Sequence, residues 1–152
     1  MATGLHHLHY YNRYLVLAAL AFVLYRSISG WLSNRPYEKV DSIAGGVLVG
    51  LAHLQLLGGL LQYFLTSTYA QAARANMGAA MKDPLLRYFG VEHISTMLIA
   101  IVLVQLGRTF SKRKTDSTAK HKTVAIYTGI ATLLIVVTLA MKGILLGPLQ
   151  AQ

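Results

Sequence analysis

The sequence predicts an all-α chain, an antiparallel four-helix transmembrane bundle with both termini on the outer, periplasmic side. Three observations predict it. Four apolar runs are each long enough, with their flanks, to cross a bilayer. Charged residues make up only 12% of the chain, against roughly 25% in an ordinary soluble domain. The cations gather in two of the three connections between the runs. The whole chain, residues 1–152, reads as one transmembrane domain.

The first helix, 10–32, has the shortest apolar core, about 12 residues or ~18 Å over 14–25. It spans with Arg13 and Arg26 snorkelling from its two ends, bracketed by Tyr10, Tyr11, Tyr14 and Trp31 as aromatic belts. The core runs into Arg26 with no A-x-A-like cleavage site, so it is read as a retained helix rather than a signal peptide. The second helix, 43–66, holds no Lys, Arg, Asp or Glu. Its length of ~36 Å exceeds a ~30 Å hydrocarbon core. The third, 84–110, starts with Pro84 in its first turn and contains Glu92 beside His93. The fourth, 123–146, is interrupted only by Lys142 near its end. Between the second and third, 67–83 is neither apolar enough to span nor plainly a solvated loop, and a short interfacial helix is predicted over 69–75.

Fourteen Lys and Arg against five Asp and Glu give a net charge of +9. A basic excess of this kind can mark nucleic-acid binding. Here it flanks apolar runs, so no nucleic-acid partner is expected. Arg26, Arg35 and Lys39 surround the first connection, and Arg108, Lys112, Arg113, Lys114, Lys120 and Lys122 the third. The opposite side holds Arg13, Arg74, Lys82, Arg87 and Lys142. Nine against five puts the first and third loops in the cytoplasm and both termini outside.

The absence of cysteine excludes disulfides, thiolate-held clusters, thiol catalysis and covalently attached c-type haem. No phosphate loop, G-x-S-x-G or H-E-x-x-H motif is present. Histidine remains, and polar groups inside a bilayer need a reason to be there. His53 lies deep in the second helix, with Gly46 and Gly50 on its face. That face reads either as a helix-packing seam with a hydrogen-bonded histidine, or as a flat slot beside an imidazole, the shape a porphyrin needs. His93 shares its face with Thr96, Met97 and Ala100. A neutral imidazole can ligate haem iron through one nitrogen while the other donates a hydrogen bond. Glu92 is assigned a salt bridge to Arg13 or Arg87 in preference to proton handling.

Depth bears on the pairing. By helical rise His53 lies ~20 Å, and His93 ~14 Å, below the outer ends of their helices, a mismatch within reach of a ~20° tilt. If the third helix enters the membrane only at Phe89, the mismatch doubles and His9 becomes the better partner for His93. His6, His7 and His9 form a cluster just outside the first helix, read as solvated. His121, between Lys120 and Lys122, is read as a headgroup contact. Gln55, Gly59 and Gln62 lie roughly opposite His53, their amides expected to bond between helices and to bury the second helix on both faces.

The chain resembles a group of small bacterial four-helix membrane proteins catalogued as cytochrome b-like. The resemblance covers nearly its whole length. It is carried by His7-Leu8-His9, Ala52-His53-Leu54-Gln55-Leu56-Leu57-Gly58-Gly59-Leu60, Met81-Lys82 followed by Arg87, Val91-Glu92-His93 with Met97, and Lys120-His121-Lys122. It implies a haem b carrier in the bacterial cytoplasmic membrane, with His9, His53 and His93 as ligand positions. The expectation is therefore a haem b bundle for electron transfer, an electron carrier or subunit rather than a stand-alone enzyme. His53 and His93 are the expected axial ligands and His9 the reserve, with Gly46, Gly50 and Met97 lining the site. The expected partners are the bilayer, respiratory-chain or quinone partners and, through the glycine face, a second copy. The alternatives are a cofactor-free structural subunit of a membrane complex and a small transporter or proton relay at Glu92 and His93.

Overall fold

The computed structural model describes residues 2–145. Among them there is helix and no strand. Helix α1 runs Ala2–Leu32 and α2 Lys39–Leu61, continued by a π-helical turn, Gln62–Thr66. Two short helices follow, α3 Thr68–Ala75 and α4 Met77–Ala80. Helix α5, Pro84–Arg87, passes through a second π turn, Tyr88–Glu92, into α6, His93–Lys112. Helix α7 is Ser117–Met141. Four helices are long and apolar enough to cross a membrane: Thr3–Leu32, Lys39–Thr66, Pro84–Lys112 and Ser117–Met141.

The expected helices are present, with shifted ends. Helix α1 begins at Ala2, not near residue 10, so His6, His7 and His9 lie on it rather than before it. The reason is a polar stripe that continues the apolar one: Asn12 and Arg13 are buried in line with Val16, Leu20 and Val23. Helix α2 starts earlier because Asp41 reaches back to accept the Glu38 backbone N–H at 2.9 Å. Asp116 caps α7 by accepting from Ala119 N at 2.8 Å, which moves that start to Ser117. The same helix stops at Met141, because Gly143 takes a left-handed φ of 66° and ties Ile144 N–H back to the Leu139 carbonyl. The predicted last residue, Leu146, lies outside the described residues. The interfacial helix expected over 69–75 is present as α3.

Around the bundle α1 packs on α2 and α7, and α6 packs on α7, while the α2–α6 seam is the loosest of the four. The core is a continuous cluster that includes Leu20, Leu48, Ala100, Val104 and Ala131. Ile43, Val47, Leu57, Ile99 and Leu133 on the outside are more than half exposed, as a lipid-facing surface requires. Without a hydrophobic drive between helices in lipid, close packing and interhelical hydrogen bonds hold such a bundle.

One end is closed by ion pairs. Arg26 meets Glu38 at 2.7 Å and Asp41 at 2.8 Å, and Arg35 meets the same carboxylates at 2.9 and 3.1 Å. Tyr37 N–H donates to Ser117 Oγ and Thr118 Oγ1 to Asn34, docking the first connection on the start of α7. At the other end Gln62 Nε2 donates to the Leu5 carbonyl, and Arg13 Nη1 to the Ile144 carbonyl at 2.7 Å.

Candidate functional site

The candidate site lies at the second end of the bundle. His9 and His93 face one another across it, with ring centroids 6.5 Å apart and planes at 73°. Both rings line a cavity of about 130 Å³ that runs inward past Leu20, Leu48, Ala100 and Val104. Met97 lies in its wall, one turn beyond His93.

Each histidine is set by its neighbours. The His9 carbonyl accepts from Gln55 Nε2 at 3.0 Å. Asn12 Nδ2 donates to Gln55 Oε1 at 2.8 Å and to the Leu51 carbonyl at 3.0 Å. This amide clamp ties one turn of α1 to α2. The imidazole then rests on Gly58 and Gly59, where a Cβ at Gly59 would come within 3.0 Å of His9 Cε1. The Nδ1 atom of His9 is buried with no hydrogen-bond partner. That atom faces the backbone of α2, 3.7 and 3.5 Å from where Cβ atoms on Gly58 and Gly59 would be.

His93 begins α6, directly after the π turn. Its Nδ1 lies 3.4 Å from the Tyr88 hydroxyl, which lies 3.5 Å from the Thr138 carbonyl. Both contacts are long, but their order is consistent. A phenol donating to Thr138 accepts from Nδ1–H, and that tautomer leaves the Nε2 lone pair for a ligand. Tyr63 Oη donates to the Gly90 carbonyl at 2.9 Å and so couples the two π turns. Such turns occur often at functional sites.

His53 is elsewhere. Its side chain is exposed on the outer surface of α2, and its Nδ1 lies 2.7 Å from the Val49 carbonyl of its own helix. The expected juxtaposition of His53 and His93 is absent, because the face shared by Gly50 and His53 points away from the bundle. Gly46 and Gly50 accordingly clear no slot. Gly46 lies under the Arg108 guanidinium, which donates to the Ser42 carbonyl at 2.7 Å, and Gly50 has open space above it. Helix α2 is thus buried on the Gln55 side alone, although Gln55 and Gln62 do bond to α1 as expected.

Two further expectations resolve. Glu92 pairs with Arg87 at 2.7 Å. His121 is not a headgroup contact: it is fully buried, with Gly30 against its ring and Tyr37 at 5.0 Å. Burial also pushes the neighbouring Tyr37 phenol above its ordinary value.

Among the described residues no three His, Asp or Glu side chains converge as a metal cage. A haem iron asks less of the protein, needing only two axial ligands. The two imidazoles that would hold such an iron are those of His9 and His93, which lie on different helices with their ring centroids 6.5 Å apart. The residues that sequence reasoning left out are Asn12, Tyr63 and Tyr88. Asn12 could have been found by carrying the buried register of the first helix one turn back, from Val16 to Asn12 and His9. Comparisons of the chain give no match to any family model, any curated protein or any solved structure.

Proposed function

We propose that the chain is a membrane-embedded, cytochrome b-like protein that binds one haem b and carries electrons in a bacterial cytoplasmic membrane. The observation that carries this is the facing pair, His9 and His93, at the wall of an apolar cavity. In this reading His9 and His93 would hold the haem iron, Met97 would line the site, and His53 takes no part. Haem b is held without covalent attachment, which suits a chain lacking cysteine. When bound it supplies reversible one-electron chemistry, and the protein tunes it through ligand identity and burial.

The cavity is smaller than the ~300 Å³ and upward typical of small-molecule sites. A macrocycle therefore requires the bundle to widen, and the loosely packed α2–α6 seam is where widening disturbs least. For topology, the proposed arrangement is antiparallel with both termini outside. Its support is the gathering of the first and third connections, the cation-rich ones, at the end where Asn34 meets Thr118.

The test is a reduced-minus-oxidised spectrum of the detergent-purified protein, supplemented with haem. A Soret and α-band change that is lost in His9→Ala and in His93→Ala but kept in His53→Ala is the expected result. No haem spectrum in any form of the protein would sink the proposal. The rival reading, a cofactor-free structural subunit, draws on the modest cavity and the closed amide clamp of Asn12 and Gln55. It predicts that same spectral silence, with loss of assembly when the clamp is broken.

A further inference from the structure

We propose that the mouth of the α2–α6 seam holds an anionic phospholipid, its phosphate on Lys39, Arg108 and Lys112 and one acyl chain along the seam. The site lies at the opposite end of the bundle from His9 and His93 and does not depend on the haem reading. The 29 residues of the span Pro84–Lys112 rise ~43 Å, more than a ~30 Å hydrocarbon core, so the last turn of α6 lies among headgroups. Arg108 opens that turn, and its guanidinium crosses to α2. Its Nη1 donates to the Ser42 carbonyl at 2.7 Å, and a Cβ on Gly45 or Gly46 would stand 3.1 Å from it. Lys39 precedes Gly46 by seven residues and so shares its face of α2. Lys112 follows Arg108 by one turn of α6. Three cations from two helices thus flank one mouth.

The positive-inside rule accounts for the number of cations at this end, but not for an arginine laid across a seam. The acids of this end are engaged elsewhere. Glu38 and Asp41 pair with Arg26 and Arg35, and Asp116 caps α7. Among the described residues Lys39, Arg108 and Lys112 take part in no salt bridge. Arg108 spends Nη1 on Ser42, and its Nη2 and Nε make no hydrogen bond among the described residues. A guanidinium edge of that kind suits two oxygens of a phosphate. Inward from the mouth the seam is apolar and the loosest of the four. Ile101 and Ile94 follow Arg108 at two-turn intervals along α6, and Leu56 and Leu60 come from α2 to line the same cavity. A flexible hydrocarbon chain fits such a seam, and basic pockets between membrane helices at this level take acidic headgroups. A second apolar helix would leave the cations unmatched, and a free phosphate would make no use of the seam.

The experiment places the native chain in nanodiscs of phosphatidylglycerol and phosphatidylcholine, in equal amounts with matched acyl chains. Native mass spectrometry then counts the lipid retained on release into neutral detergent. The native chain should retain phosphatidylglycerol about 10-fold or more over phosphatidylcholine. Arg108→Gln should lower that preference about 5-fold, the worth of one cation near the surface. Lys114→Gln, the same change of charge in the third connection, should leave it as it is. Lys39→Gln combined with Lys112→Gln keeps the Ser42 bond and should also lower the preference, which tests the site if Arg108→Gln does not fold. No preference in the native chain would overturn the proposal. So would an equal loss from Lys114→Gln, since the whole cationic end would then attract acidic lipids without a site. Glycerol phosphate, a headgroup without chains, should fail to displace the lipid. Displacement at equal concentration would show that the seam contributes nothing, and the proposal would fall.

Discussion

His9 turns the Cε1 edge of its imidazole to Gly59, only 3.0 Å from where a Cβ would be. The ring therefore has a floor on α2 as well as a tether, the Gln55 bond to its own carbonyl. Gly59→Ala should push the ring toward His93 by a few tenths of an ångström. We expect the haem-loaded variant to show a shifted midpoint potential and altered α-band with little loss of helix content. Gly50→Ala is the control: it meets nothing within 4 Å and should match the native chain in both readouts.

Asp41 holds two arginines with a side chain that is 4% exposed. Asp41→Ala leaves the exposed Glu38 as the one carboxylate among the described residues that pairs with Arg26 and Arg35 and should cost about 3 kcal/mol, in the range for breaking a buried pair. Asp116→Ala removes only a helix cap and should cost about 1 kcal/mol. Thermal unfolding in detergent would check the order. An equal effect of the two would mean that the arginine network adds nothing beyond capping.

The lack of native cysteine makes topology direct to measure. With both termini outside, Gly78→Cys in the second connection should react with an impermeant maleimide in intact cells. Lys114→Cys in the third should react only after the membrane is opened. The reverse pattern would turn the bundle over and leave its internal contacts untouched.

Glu92 and Arg87 are 42% and 37% exposed at the side chain, so their ion pair is worth under about 1 kcal/mol. Glu92→Gln should leave both stability and haem spectrum nearly unchanged. A strong loss of proton-coupled transport with normal spectra would instead favour the relay alternative.

Features that depend on local chemistry were legible in the sequence. The charge-free run of α2 and the short helix α3 each follow from residues a few positions apart, whereas for Glu92 the sequence left Arg13 and Arg87 both open. The facing pair was legible only as the reserve, His9 for His93, and the preference for His53 failed for a reason that concerns direction rather than height. Helical spacing says correctly that Gly50 and His53 share a face. It does not say whether that face meets a neighbour or the lipid, and here it meets none of the helices. The extent of α1 was hidden differently. A hydropathy reading sees 14–25, whereas the turn carrying His9 and Asn12 is held by amides on a distant helix. His121 was obscured by its flanks, since a lysine on either side of a residue says nothing about the ring between them.

The π turn at Tyr88–Glu92 has a consequence for how this chain tolerates change. A turn closed from residue i to i+5 contains one residue more than its neighbours, as the bond from His93 N–H to the Tyr88 carbonyl records. Removing one residue from it would restore an unbroken α-helix and swing everything before the turn by about 100° relative to α6. Tyr88 would leave His93 and Thr138, and the Tyr63 bond to Gly90 would have no acceptor in place. The extra residue therefore works as a vernier between the membrane surface and the bundle interior, and a length change of one at this point should act as a change of bearing.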